Sequence, residues 1–280
     1  MEFLIPSDEL LPFILALTVS GLVAGYLAGA FGIGSGAVLV PVFYQMFTQL
    51  GIDDAVRMHL CVGTSLAIIV PTSIRSYLSH LKRGNVDQDL LKSWVIVVPL
   101  GVVLASLISI FISGAGLRTI FVVVAVIVGI KLLFARESWR LGDDIPANPG
   151  RSIAGAGIGF ISTFMGIGGG VMNNTFMSLY GRPLHQAVST SSGLGVLISV
   201  PGTIGYIIAG YLANIEAGVL PIFSVGYINL LAVIFIIPLT VIAVPFGVRS
   251  AHALSKRQLE IAFGLFMFVV AARFAYSLLG

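Results

Sequence analysis

Ala30-Phe31-Gly32-Ile33-Gly34-Ser35-Gly36 returns 134 positions later as Phe164-Met165-Gly166-Ile167-Gly168-Gly169-Gly170, each time inside an apolar stretch. A glycine costs a helix interior about 1 kcal/mol relative to alanine, so three alternating glycines mark a break in a helix. Paired breaks at corresponding places in two halves are the pattern by which discontinuous transmembrane helices build a solute site near the bilayer midplane. The helix that restarts after such a break presents unpaired N–H groups and the positive end of its dipole. With no Cβ in the way, those donors can close around an anion. A single Gly-x-Gly-x-Gly also reads as a device for close helix packing. The duplication, the short flanking segments and the neighbouring hydroxyls favour a binding site.

Working outward, the whole chain fits a membrane. Hydrophobic residues make up 57% of it and charged residues 10%, against about 25% charged in a soluble domain. The longest polar stretch, 136–151, is too short to bury a core of its own. The net charge of +3 does not point to nucleic acid, because the basic residues sit in loops between apolar segments, where cytoplasmic loops collect Lys and Arg. The partners expected are therefore the lipid bilayer and a small solute, not nucleic acid. Cys61 is the only cysteine, which excludes an intrachain disulfide framework and a Cys-based zinc site; no metal and no cofactor is expected. The start, Met1-Glu2-Phe3-Leu4-Ile5-Pro6-Ser7-Asp8-Glu9, lacks the positive region of a cleavable signal peptide.

A spanning helix needs about 20 apolar residues. Full-length candidates are 11–31, 58–79, 93–113, 117–135, 187–211, 226–248 and 258–279. Three shorter ones, 37–50, 152–165 and 171–180, each touch a glycine cluster, so each cluster reads as the tip of a helix–break–helix hairpin that crosses twice or re-enters. The expectation is an all-α integral membrane protein of two inverted repeats, about five helical segments each, with a Gly-rich broken hairpin opening each repeat. The first repeat covers 1–135, a cytoplasmic linker 136–151 and the second repeat 152–280. With the N-terminus outside, twelve of the fifteen Lys and Arg residues face the cytoplasm; Arg57, Arg118 and Arg273 remain outside. An odd number of crossings per half turns the second half upside down and leaves both termini outside. The halves also match in Arg57-Met58-His59 with Thr64-Ser65, against Arg182-Pro183-Leu184-His185 with Thr190-Ser191.

The candidate substrate ligands are the breaks, Gly32, Gly34, Gly36, Gly166, Gly168, Gly169 and Gly170, with Ser35, Asn173 and Asn174 beside them. Thr64, Ser65, Thr190, Ser191 and Ser192, early in the long helix after each hairpin, can donate to an oxyanion. The competing reading is that such hydroxyls bond back to a carbonyl of their own helix. Arg57, His59, Arg182 and His185 read as positive vestibules on opposite faces, or as residues snorkelling to headgroups. Trp94 and Trp139 read as interface anchors. No carboxylate lies well inside a span, where proton-coupled carriers usually hold one. An enzyme would need a nucleophile–base or metal constellation; the four histidines are dispersed and no His-x-x-x-His or paired carboxylate is present.

At Gly-Ile-Gly-Ser-Gly and Gly-Ile-Gly-Gly-Gly, with Val40-Pro41, Gly63-Thr64-Ser65 and His80-Leu81-Lys82-Arg83-Gly84-Asn85-Val86, the chain resembles the TauE/SafE sulfite exporter family over about residues 15–279. The resemblance implies a permease of the prokaryotic inner membrane for small sulfur-containing anions such as sulfite, sulfonates and sulfoacetate. It leaves open an anion channel, a non-transporting assembly or sensor subunit, and a homo-oligomer. The second half departs from the first: Asn173-Asn174-Thr175 stands where the first has Leu39-Val40-Pro41, and Ser189 where it has Gly63.

Overall fold

The computed structural model describes residues 7–31, 35–134, 140–213, 220–251 and 256–279. Gly32, Gly34, Trp139 and Glu216 lie outside them. The expected segments form helices. The first half runs α1 (Ser7–Phe31), α2 (Gly36–Gln49), α3 (Asp54–Leu81), α4 (Gln88–Trp94), α5 (Val97–Ser109) and α6 (Gly114–Phe134). The second runs α7 (Gly150–Met165), α8 (Gly170–Leu179), α9 (Leu184–Leu212), α10 (Leu230–Ala251) and α11 (Lys256–Leu279). Between α9 and α10 a small antiparallel hairpin pairs β1 (Ser224–Val225) with β2 (Ile228–Asn229).

Among the described residues five helices (α3, α6, α9, α10 and α11) are long and apolar enough to cross a bilayer, and the bent pair α4–α5, counted as one span, makes six. Ile96, Leu100, Ile127, Ile234, Ile242 and Val269 each expose well over half of their surface. Water does not tolerate so continuous an apolar exterior; hydrocarbon does.

Three sequence expectations need correction. The span 93–113 is not one helix, since α4 and α5 meet at a 47° bend. Pro99 is the cause: it has no N–H to offer the Val95 carbonyl four residues back, and its ring crowds that carbonyl. The span 226–248 starts later, because the hairpin holds its first residues and Asn229 caps α10 by accepting from Ala232 N–H at 2.9 Å. Trp94 is no interface anchor: it is fully buried, and its indole Nε1–H donates to the Arg151 carbonyl at 2.9 Å.

Several helix contacts of one half have a counterpart in the other. The first helix of each half packs on the penultimate helix of the other, α1 on α10 and α7 on α5, while α3 packs on α9 and α6 on α11. Glycines set these distances. A Cβ on Gly25 or Gly29 would collide with the Thr240 or Val244 carbonyl of α10, and one on Gly101 with the Ala156 carbonyl of α7. In the centre, α3 and α9 run antiparallel: Tyr77 lies on Gly193, Ser73 on Gly195 and Leu66 on Gly202. Of the candidate spans α3 is the most enclosed, and it carries Thr64 and Ser65 into the middle of the protein.

Candidate functional site

Each break has a local cause. α7 ends because Gly166 takes φ +63°, a left-handed conformation that residues with a Cβ avoid. Gly166 N–H then donates to Thr163 O and Ile167 N–H to Ser162 O, both at 3.1 Å, which closes the helix end in a Schellman turn. Gly169, at φ +74°, starts α8, whose first bond runs from Asn173 N–H to Gly169 O at 2.9 Å. The amides of Gly170, Val171 and Met172 precede that bond and have no acceptor within their own helix. In the first half Ser35 is the N-cap of α2; its carbonyl accepts from Val38 and Leu39 N–H at 3.2 and 3.1 Å.

The two breaks meet. The Cα of Gly36 lies against the Gly166 carbonyl, so closely that a Cβ there would overlap that oxygen and come within 2.9 Å of Ser65 Oγ. Ser65 Oγ–H donates to the same Gly166 carbonyl at 2.9 Å. One first-half helix start, one second-half helix end and a hydroxyl of α3 therefore share a point. Nearby, Gly168 O approaches Gly195 of α9.

The other candidates form a second cluster. Asn173 Nδ2–H donates to Ser191 Oγ at 2.7 Å, and Ser191 Oγ–H points to Asn174 Oδ1 at 2.7 Å with Gly170 O at 3.4 Å. Ser192 Oγ–H bonds back to Ser189 O at 2.6 Å. Thr64 Oγ1 accepts from Asn229 N–H, and Thr190 Oγ1 from Asp87 N–H, each at 3.0 Å. Among the described residues, Ser35 Oγ, Ser162 Oγ and Asn173 Oδ1 are buried and find no hydrogen-bond partner. A small cavity of about 10 Å³ beside the second break is lined by Ser162, Met165, Ile167, Gly169, Met172 and Met267. It has room for about one water.

The four vestibule candidates divide. Arg57 donates to Ile52 O at 2.6 and 3.0 Å and pairs with Asp54 at 3.1 Å. Arg182 pairs with Asp144 at 2.5 Å, and His185 is exposed. His59 departs from the expectation: it is buried, its Nε2 lies 3.0 Å from Ser109 O and its ring stacks on Tyr227 at 4.8 Å. The helical period explains this, since His59 falls on the face of α3 turned towards α5 and the hairpin.

Sequence reasoning missed two features. Arg118, nearly buried, pairs with Asp54 at 2.6 Å, donates to Ser277 O at 3.1 Å, and stacks with Arg57 on the Tyr44 ring. This ties α2, α3, α6 and α11 together. The second is a quieter repeat, Gly84-Asn85-Val86-Asp87 against Gly226-Tyr227-Ile228-Asn229. Its signal was available: glycine, then an apolar residue two on, then an Asx helix cap.

A multi-pass helical membrane protein organised around two touching helix breaks is the class that fold and site define. The chain belongs to the TauE/SafE sulfite exporter family, whose model matches residues 17–274. It is 30% identical to a "Probable membrane transporter protein" of Haemophilus influenzae, over 92% of this chain and 97% of the relative. A protein of the same description from Methanocaldococcus jannaschii is 28% identical over the same shares, and one from Bacillus subtilis is 28% identical over 70% of this chain and 79% of its own. No solved structure matches. The protein is a membrane transporter.

Proposed function

We infer that this transporter carries small sulfur-containing oxyanions, such as sulfite, sulfonates and sulfoacetate, across a prokaryotic inner membrane by alternating access of two inverted repeats. The observation that carries the reading is the meeting of Gly36, Gly166 and Ser65 at the centre. The start of α2 and the Ser65 hydroxyl, which donates to the Gly166 carbonyl, stand together there, and a helix start and a hydroxyl are donors that suit an oxyanion. Each charge-assisted hydrogen bond contributes about 1.5–3 kcal/mol net. Four to six of them offset much of the cost of dehydrating the anion without trapping it. The family's name supports the sulfur chemistry. The paired contacts α1–α10 and α7–α5 and the antiparallel α3 and α9 support inverted repeats, and the distribution of basic residues supports both termini lying outside.

The test is uptake of radiolabelled sulfite, thiosulfate and sulfonates into proteoliposomes, with and without a pH gradient. Saturable, mutually competing flux is expected, reduced by Ser65→Ala. Conduction far above carrier turnover would make the protein a channel. Absence of flux for every oxyanion tried would overturn the substrate reading.

A further inference from the structure

We propose that Thr64 with the Asn229 amide, and Thr190 with the Asp87 amide, are two symmetry-related gate latches, one towards each membrane face, that open in turn. The assignment rests on reading the protein as an alternating-access carrier and adds the residues that hold each side shut.

Thr64 and Thr190 behave unlike six other helical threonines. Thr18, Thr48, Thr72, Thr119, Thr163 and Thr203 all donate to the carbonyl four residues back in their own helix. Thr64 and Thr190 instead accept a backbone N–H from a loop at 3.0 Å. Both bonds cross between halves. Thr64 of α3 holds the residue that caps α10, and Thr190 of α9 holds the residue that caps α4. In each loop a left-handed glycine, Gly84 at φ +74° or Gly226 at φ +54°, lies three residues before the cap and lets the chain turn in.

The two latches stand at different levels of the central helix pair. Ser189 Oγ lies 3.2 Å from His80 Nδ1, so Thr190 is level with the last turn of α3. Thr64 is 16 residues earlier than His80, or about 24 Å at 1.5 Å per residue. The Gly36–Gly166 contact lies at the Thr64 level, on the adjacent Ser65, and the Gly168 O approach to Gly195, opposite Ser73, lies between the two latches. Rocking one half against the other cannot leave both cross-half bonds at fixed length. Releasing one while keeping the other opens one face only.

Single-cysteine labelling tests this without a transported solute. In a Cys61→Ala background, Ile228→Cys reports the first latch and Val86→Cys the second; an impermeant thiol reagent is applied to right-side-out and inside-out vesicles. Loss of one buried acceptor shifts an opening equilibrium about tenfold. Thr64→Val should therefore raise modification of Ile228→Cys about tenfold from one side and leave Val86→Cys unchanged or slower. Thr190→Val should do the reverse from the other side, and Thr→Ser at either position should restore the parent rates. If Thr64→Val does not insert, Thr64→Ala serves in its place. Equal acceleration of both reporters by either variant, no acceleration, or failure of serine to restore would overturn the latch. Sided labelling in a protein without oxyanion flux would uphold the latch and reject the substrate; flux with unsided labelling would do the opposite.

Discussion

Replacing Gly36 by alanine adds one methyl group at the point where the two halves touch. In the structure that methyl would overlap the Gly166 carbonyl and sit 2.9 Å from Ser65 Oγ. The first obstacle is main chain at a left-handed glycine, so it cannot swing aside as a side chain would. Overpacking of this kind costs about 1–3 kcal/mol. Losing the Ser65–Gly166 hydrogen bond adds about 1 kcal/mol, so a loss of about 2–4 kcal/mol is expected. At roughly 2–4 °C per kcal/mol, the melting temperature should fall by about 4–16 °C. The matched control is Gly157→Ala in α7, where nothing lies within 4 Å of the new methyl. There the propensity gain of about 0.5–1 kcal/mol should leave stability unchanged or slightly raised. Thermal unfolding of both variants in one detergent, followed by intrinsic fluorescence, makes the comparison. If Gly36→Ala melts with Gly157→Ala, the two breaks do not meet and the argument for a shared site fails.

Other outcomes follow from named contacts. Asp54→Asn strips the carboxylate from the nearly buried Arg118. Breaking a buried pair costs 3–5 kcal/mol; because Asp54 is half exposed, a loss of about 2–3 kcal/mol is expected in chemical unfolding, partly recovered by Asp54→Asn with Arg118→Met. Ser65→Ala should lower oxyanion flux about tenfold, the equivalent of one buried hydrogen bond of about 1.4 kcal/mol, while the yield of inserted protein is unchanged; normal flux would remove Ser65 from the site. Trp94→Phe should cost about 1–2 kcal/mol, by losing the bond to the Arg151 carbonyl and some packing against α7, and the loss should show as earlier cleavage by a protease in the loop before α7.

Much of the helix pattern was legible because its causes are local. Transfer of apolar residues to hydrocarbon is a property of each segment, and glycine weakens a helix wherever it stands. The runs 117–135 and 258–279 accordingly reappear as α6 and α11 within three residues at each end. The bend at Val95 and Ile96 was equally local, written in Pro99 but hidden inside a uniformly apolar run. The hairpin Ser224–Asn229 was not legible, because its residues are as apolar as the span they precede.

The partners of the buried polar groups are a different matter. Ser65 donates to a carbonyl 101 residues away, and Thr64 accepts from an amide 165 residues away. The repeat singles out Thr64 and Ser65, but nothing in their sequence tells that they reach the other half while Thr72 and Ser79 bond back into their own helix. The sequence by itself determined that this chain lives in a membrane, where its helices run and where two of them break, since hydropathy and backbone propensity act residue by residue. Only the tertiary structure decided that the two breaks touch, that His59 faces inward and that each central threonine holds the other half, because a hydroxyl takes whatever donor or acceptor the packed helices bring to it.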